Sequence, residues 1–462
     1  MSASTLSIGF VPPSFPRDPV DVNQFDEHII LGQIMEPLVD ADGDGKLVPS
    51  VAKDWRVEDF GKTLIFMIDS SIEFNNGEKV KAKDVVYSIK RHLSSNSQSK
   101  NFLSDVEIVE AIGDAEVRIR LKSGNVFILK ALTRDQLGIV PEGWTFDVKS
   151  DKPYVATGPY ALVRKEGQFF LEKNKHFKRY KVSVDTWRLS FFKDASFSMP
   201  DVLPDLVPVV TVGVFDKMKK NLSFSNGNFK VEKRLGFSQT SFWVHSESRL
   251  FADGSQRLLA QRFMNDLISD YVNERTLERS RGLIPVGIQG SLESVPKILS
   301  YTRKNGIKEI KIAAISGIFN DFLSDENIAI AHSKYGVKIL KFMFSPAQFS
   351  EMHNWKPDIV AGSWAGGFND PAGFLGLLNS LLGKNFESYL GEDGAKMKQA
   401  DLEQDWQART SLYRSLGATV IQKGFLTPGW RVETYEVMRA NLKVNAFQTR
   451  YTPRLVNFSE MK

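Results

Sequence analysis

The chain has 462 residues, more than one ordinary hydrophobic core organises, so length alone predicts about three domains. Hydrophobic residues at 42% and charged residues at 25% lie at globular averages, which excludes global disorder, and no run approaches the ~18 consecutive apolar residues of a membrane span, so the chain as given is expected to be soluble. The 60 basic and 55 acidic residues leave a net charge of +5 with no concentrated basic stripe, which excludes nucleic acid as an evident partner.

The start, Met1-Ser2-Ala3-Ser4-Thr5, shows no secretory leader and runs into a strand-like segment, Leu6 to Phe10. That fits either a mature domain with a start Met added or a cytosolic protein. A Pro-rich loop, Val11 to Pro19, and a helical pattern over Phe25–Met35 follow. Asp40-Ala41-Asp42-Gly43-Asp44-Gly45 invites a calcium-loop reading, but the twelfth position, which needs a bidentate Glu, is Val51. A tight Asp-Gly turn between extended segments is the better reading. Thr63–Asp69 is β-rich, Asn75-Asn76-Gly77 marks a turn, and Val85, Val86, Ile89 and Leu93 give Asp84–Leu93 a helical face. Strands at Val106–Ile112 and Val117–Lys122 complete an α+β section over about 37–150.

After the turn at Ala156–Tyr160 come strands at Tyr160–Arg164 and Phe169–Lys173, then a mixed, strand-leaning stretch over 185–235. A long helix is predicted over Ser255–Leu277. A β-α-β-α-β alternation follows: strand Glu309–Ala314, helix Asn320–Tyr335, strand Val337–Phe344, helix Pro346–His353 and strand Asp358–Gly362. Such alternation predicts a largely parallel sheet covered by helices. A helix over Leu402–Lys423 and a strand-like tail close the chain.

Cysteine is absent, so disulfides, thiolate catalysis and Cys-ligated zinc or iron–sulfur sites are excluded, while the compartment stays open. The six histidines form no i, i+4 pair and no HExxH motif, and read as surface or core imidazoles rather than metal ligands. There is no nucleophile elbow, no Walker A loop and no GxGxxG between strand and helix. No catalyst, metal or cofactor is therefore expected. What stands out is Ala361 to Pro371, a Gly-rich segment directly after a predicted buried strand. Ligands of open α/β sheets bind beyond the carboxyl ends of strands. Trp364 and Phe368 among small residues suit an apolar pocket there, and equally suit a plug for the core.

Several segments together resemble one family, the extracytoplasmic solute-binding proteins of ABC importers in the oligopeptide/dipeptide/nickel group, family 5. They are Asp18-Pro19 with Ile34–Val39, then Asp42–Trp55, Ile72–Glu78 with Ala82–Ser88, Thr157-Gly158-Pro159-Tyr160, and Trp364–Pro371. The order is the family's, and the resemblance covers nearly the whole chain, weakening over 186–235 and 380–400.

The resemblance implies an α/β two-lobe clamshell with an extra α+β domain inserted in the first lobe. Lobe I would comprise 1–36, 152–234 and 432–462, the insert 37–151, and lobe II 235–431, with hinges near Leu235–Phe242 and Pro428–Glu433. The implied function is non-catalytic capture of a peptide or peptide-like solute for a membrane ABC permease, by a periplasmic or extracytoplasmic monomer. A ligand-sensing receptor is the rival, and an enzyme the third reading. The site would take Ser363, Trp364, Ala365, Gly367, Phe368, Asn369 and Asp370 from one lobe. Asn23, Gln24 and Phe25 would face it from the other, with Phe242 and Trp243 where a crossing strand passes. Peptide-binding members carry an Asp three residues after the Trp, to pair with the α-ammonium; this chain has Gly367. That departure favours N-blocked peptides, oligosaccharides or metal chelates as alternatives.

Overall fold

The computed structural model describes residues 5–10, 16–22, 25–42, 46–95, 99–124, 126–192, 204–211, 215, 228–286, 288, 290–302, 306–345, 348–365, 371, 389–403, 405–444, 455 and 458–460. The chain divides into two units, Met1–Arg234 with Glu433–Lys462, and Leu235–Val432.

Unit 1 begins with β1 (Thr5–Phe10), whose apolar run is buried from Leu6 onward, as suits a strand inside a sheet. Then come α1 (Phe25–Ile34), β2 (Val39–Ala41), β3 (Leu47–Pro49), β4 (Ala52–Glu58), β5 (Thr63–Ile68), α2 (Ala82–Ser94), β6 (Val106–Ile112) and β7 (Glu116–Leu121). Strands β8 (Tyr160–Lys165), β9 (Gln168–Lys173), β10 (Thr186–Phe191) and β11 (Leu206–Thr211) follow. Strand β1 runs parallel to β10, with Thr5 opposite Thr186 and Phe10 opposite Phe191, while β8, β9 and β10 are antiparallel neighbours. Leu6, Ile8, Ile30, Ile34, Leu171 and Trp187 pack into the core beneath.

The α+β section has a separate core of Leu64, Phe66, Val85, Ile89, Val117 and Ile119 between α2 and the antiparallel sheet β4-β5-β7-β6. Asp84 fixes the start of α2: its carboxylate accepts the Lys81 N–H at 2.8 Å and the Glu142 N–H at 2.8 Å. β2 and β3 pair antiparallel, with Ala41 opposite Leu47, and Asp42 N donates to Lys46 O at 2.9 Å. The flanking stretches are extended and paired, as expected, while residues 43–45 of the Asp-Gly segment lie outside the described residues. Where the section leaves, Ile139 N donates to Glu36 O at 3.1 Å, beside the residue where it began. Nearby, Gly158 N donates to Ile34 O, and a Cβ on Gly158 would stand 2.4 Å from the Ile34 carbonyl carbon, so only glycine permits this approach.

Strand β12 (Phe229–Val244) carries the chain into unit 2. There follow α3 (Gly254–Glu274), β13 (Glu309–Ile315), α4 (Asp325–Tyr335), β14 (Lys338–Phe344), α5 (Phe349–Trp355), β15 (Ile359–Ala365), α6 (Glu392–Leu402) and α7 (Trp406–Gln422). Strand β16 (Leu426–Arg439) returns to unit 1, where β17 (Leu442–Val444) and β18 (Phe458–Glu460) pair. In unit 2 the strand order is β14-β13-β15-β12-β16, with β13, β14 and β15 parallel and β12 antiparallel to β15. In unit 1 it is β16-β11-β1-β10-β9-β8. The expected α/β class is what the chain adopts.

At three helix starts that differ from the sequence expectation, a side-chain cap sets the boundary. Helix α4 starts at Asp325, not Asn320, because the Ser324 hydroxyl accepts the Asn327 N–H. The single helix expected over Leu402–Lys423 starts at Trp406, where Asp405 accepts the Ala408 N–H at 2.7 Å; Leu402 instead ends α6. Helix α3 opens one residue early, where Asp253 accepts from Ser255 and Gln256.

Candidate functional site

The parallel set β13, β14 and β15 is built from apolar and small residues. Ile312, Ala313 and Ala314 lie opposite Ile359, Val360 and Ala361, all buried. Ala residues let the strands sit under covering helices without crowding. β15 then carries Ser363, Trp364 and Ala365 to its carboxyl end, against Thr240, Gln239 and Ser238 of β12. Ser363 is half-buried, and its hydroxyl meets that of Ser238 at 3.1 Å. The side chains of Trp364 and Ala365, and Gly367, Phe368, Asn369 and Asp370 altogether, lie outside the described residues. So do Asn23, Gln24 and the side chain of Phe25, whose backbone opens α1.

Phe242 and Trp243 are both buried. The Phe242 ring sits among Phe319, Phe322 and Trp430 at centroid distances of 5.5, 5.2 and 6.0 Å, and Tyr271 extends the cluster at 5.0 Å from both Phe322 and Trp430. Of the two roles open to Phe242 in the sequence, ligand wall and core packing, its surroundings serve packing.

Beside the Trp364 position lies a polar layer that motif reasoning missed. Gln239 is fully buried, and its Nε2 donates to Gly282 O at 2.7 Å and Leu283 O at 2.5 Å. Its Oε1 has no partner among the described residues, and neither do the buried hydroxyls of Ser241 and Ser280. Unsatisfied buried acceptors and hydroxyls carry a desolvation cost. Thr240 reaches across to β16: its Oγ1 accepts the Trp430 N–H at 2.8 Å and donates to Trp430 O at 3.2 Å. A Cβ on Gly429 would lie 2.1 Å from that oxygen, so glycine makes room for the hydroxyl between the strands. Arg279, bridged to Trp430, donates to Asn265 Oδ1 at 3.0 Å and Ser269 Oγ at 3.3 Å, and burial pulls its guanidinium down to about 10, partly offset by Asp266. The sequence signal for this layer was weak: polar residues within a strand-like run.

Two histidines meet elsewhere in unit 2. His245 Nε2 lies 2.8 Å from His353 Nδ1, and the Glu247 N–H points at His245 Nδ1 at 3.3 Å. Nδ1 therefore accepts and Nε2 donates to His353. Burial first, then His353, lowers the His245 pKa. Among the described residues no three His, Asp or Glu side chains converge as a metal-ligand group, and no helix is long and apolar enough to cross a membrane.

A family model, bacterial extracellular solute-binding proteins, family 5 (middle), matches residues 46–199. A Haemophilus influenzae chain named only as a binding protein is 23% identical over 433 residues, covering 88% of this chain and 80% of that one. Among solved structures, HbpA2 from Haemophilus parasuis superposes with a TM-score of 0.80 at 17% identity, over 99% of both chains. The ABC transporter-associated periplasmic binding protein DppA from Helicobacter pylori, in complex with the peptide STSA, gives 0.75 at 17% identity over 100% of this chain and 98% of that one. The structural likenesses show the fold of two-lobe periplasmic binding proteins. Over residues 46–199 the chain is similar to the bacterial extracellular solute-binding proteins of family 5, and its motifs follow that family's order.

Proposed function

We propose that the chain is the solute-capturing component of an ABC import system, working outside the cytoplasm with a membrane permease, without catalysis and as a monomer. The solute is a peptide or peptide-like molecule. Its lobes are 1–36, 152–234 and 432–462 on one side and 235–431 on the other, with 37–151 inserted in the first. The observation that carries this reading is the place of Trp364: at the carboxyl end of β15, in a parallel set, beside a buried polar layer, in a chain with the fold of a peptide-holding binding protein. The solute site takes Ser363 to Asp370 from β15 and the segment after it, with Asn23, Gln24 and Phe25 opposite.

A second reading of the solute rests on Gly367. A buried ammonium without a carboxylate costs several kcal/mol. Asp370 stands three residues on, about 10 Å away along an extended loop. An N-blocked peptide, an oligosaccharide or a metal chelate avoids that cost. Calorimetric titration with free and N-acetylated peptides and with oligosaccharides decides between them. The expectation is weak binding of free di- and tripeptides and tighter binding of a solute without an ammonium end. Tight binding of a free tripeptide, abolished by acetylation, would place a carboxylate partner elsewhere. Failure of every class would sink the transport reading.

A further inference from the structure

The histidine pair of unit 2 has no part in the solute reading. His245 stands just past β12 and is 1% exposed, while His353 lies half-buried in the last turn of α5. Their contact, Nε2 to Nδ1 at 2.8 Å, ties the end of a strand to a helix 108 residues further along. The parts on either side are anchored independently. The His245 N–H donates to Asp358 O at 3.0 Å and the Ser248 N–H to His245 O at 2.9 Å, which seats the His245–Ser248 turn beside the start of β15. On α5, Met352 is buried, Trp355 stacks on Phe342 of β14 at 5.6 Å, and Lys311 Nζ of β13 donates to Trp355 O at 2.7 Å. The charged groups on these elements are already engaged. Glu247 of the turn pairs with Lys356 at 3.7 Å. Asp358 accepts the Ser248 hydroxyl at 2.9 Å and the Lys311 N–H at 3.0 Å, with Arg249 Nε at 3.7 Å.

Neutral rings satisfy this joint with one arrangement of protons. His245 Nδ1 accepts the Glu247 N–H, so its own proton is on Nε2 and points at His353 Nδ1, which leaves the His353 proton on Nε2. An added proton then has two places to go. On His353 Nδ1 it faces the His245 Nε2–H head-on. On His245 Nδ1, reached directly or by a tautomer shift, it faces the Glu247 N–H. Each position breaks one of the two hydrogen bonds. Burial and the neighbouring ring both oppose the charge on His245, and the Glu247 carboxylate opposes them only in part, which lowers the His245 pKa from its ordinary 6.5. When the corner opens to water the ring regains that ordinary value, so the open form takes up the proton first as pH falls. The closed form is fully favoured above pH 6.5 and loses ground progressively below it.

We propose that His245 and His353 form an acid-released latch, which holds α5 and the His245–Ser248 turn together at neutral pH and loosens that corner of unit 2 in mild acid. Hydrogen exchange of the full chain at about pH 7.5 and pH 5.5, corrected for intrinsic rates, reads the latch on peptides covering the turn and α5, with α4 as the reference. Losing one hydrogen bond is worth about a factor of five, so protection of the turn, of α5 or of both should fall about fivefold in acid, while α4 changes less than about twofold. His353→Asn keeps an acceptor close to the place of Nδ1 but takes up no proton, and at a half-buried site it folds; the acid effect on α5 should shrink there to less than about twofold. Nitrogen-15 NMR of the unsubstituted chain reads the rings themselves and should find both as the Nε2–H tautomer near pH 7.5. Unchanged protection of both peptides in acid, an equal fall in α5 of His353→Asn, or a neutral His245 protonated on Nδ1 would each overturn the proposal.

Discussion

Replacing Phe242 by Ala tests whether its ring serves the core or the solute. The side chain is 1% exposed, with three aromatic rings around it, all in unit 2. Phe→Ala in a packed core costs ~3–5 kcal/mol, and losing aromatic pairs worth ~0.5–1.5 kcal/mol each moves the expectation to the upper part of that range, about 4–5 kcal/mol. A unit spanning Leu235–Val432 responds by ~2–4 °C per kcal/mol, so its transition should fall by about 8–20 °C. Phe242→Leu, which keeps most of the volume, should cost under ~1.5 kcal/mol. Scanning calorimetry measures the transition, and hydrogen exchange on peptides from β12 and the unit 2 end of β16 localises the loss, since two units need not melt together. Solute affinity of the folded fraction should stay within a few-fold. A transition lowered by less than about 4 °C together with a tenfold or larger loss of affinity would refute the packing assignment and return Phe242 to the solute wall.

Trp364→Ala should show the opposite split, losing about 2–3 kcal/mol of solute binding by titration while thermal stability shifts little; equal losses in both would mean a core plug. Gly158→Ala forces a Cβ against the Ile34 carbonyl, so chemical denaturation should show a loss of about 2–4 kcal/mol; a neutral result would mean that the two backbones do not touch. His92 is buried, and its pKa is pulled down to about 4 by burial first and then by Arg91, partly opposed by a backbone hydrogen bond. The unfolded chain, near 6.5, therefore takes up the proton first as pH falls. Stability from this group is complete above pH 6.5 and lost progressively down to about pH 4, by ~3 kcal/mol. Denaturation midpoints across that window should flatten in His92→Gln, and no difference from the unsubstituted chain would refute the assignment.

Much of the architecture was readable because it rests on local patterns. The Val85–Ile89 face, the Asn75-Asn76-Gly77 turn and the β-α-β alternation after Glu309 are set by neighbours within a few residues. Helix starts were misjudged where one hydroxyl or carboxylate, Ser324 or Asp405, decided the boundary against apolar periodicity that ran past it. The polar layer was hidden because its meaning depends on distant partners. Gln239 is held by carbonyls at 282 and 283, and Thr240 by the backbone at 430. Phe242 looked like a cleft residue from its place in a crossing strand, and only rings at 319, 322 and 430 show what it packs against. The motif around Trp364 gave the strand and its end but no view of the side chains beyond.

The hydrogen bond from Ile139 to Glu36 makes the α+β section a cassette. More than a hundred residues leave the chain and return to it at one point, with their own core and sheet in between. Excising them and splicing Glu36 to the residues after Ile139 would not require rethreading β1, α1 or β8. The same junction is a graft point, where a foreign domain with closely spaced termini can be inserted while the order of strands in both units is left as it stands.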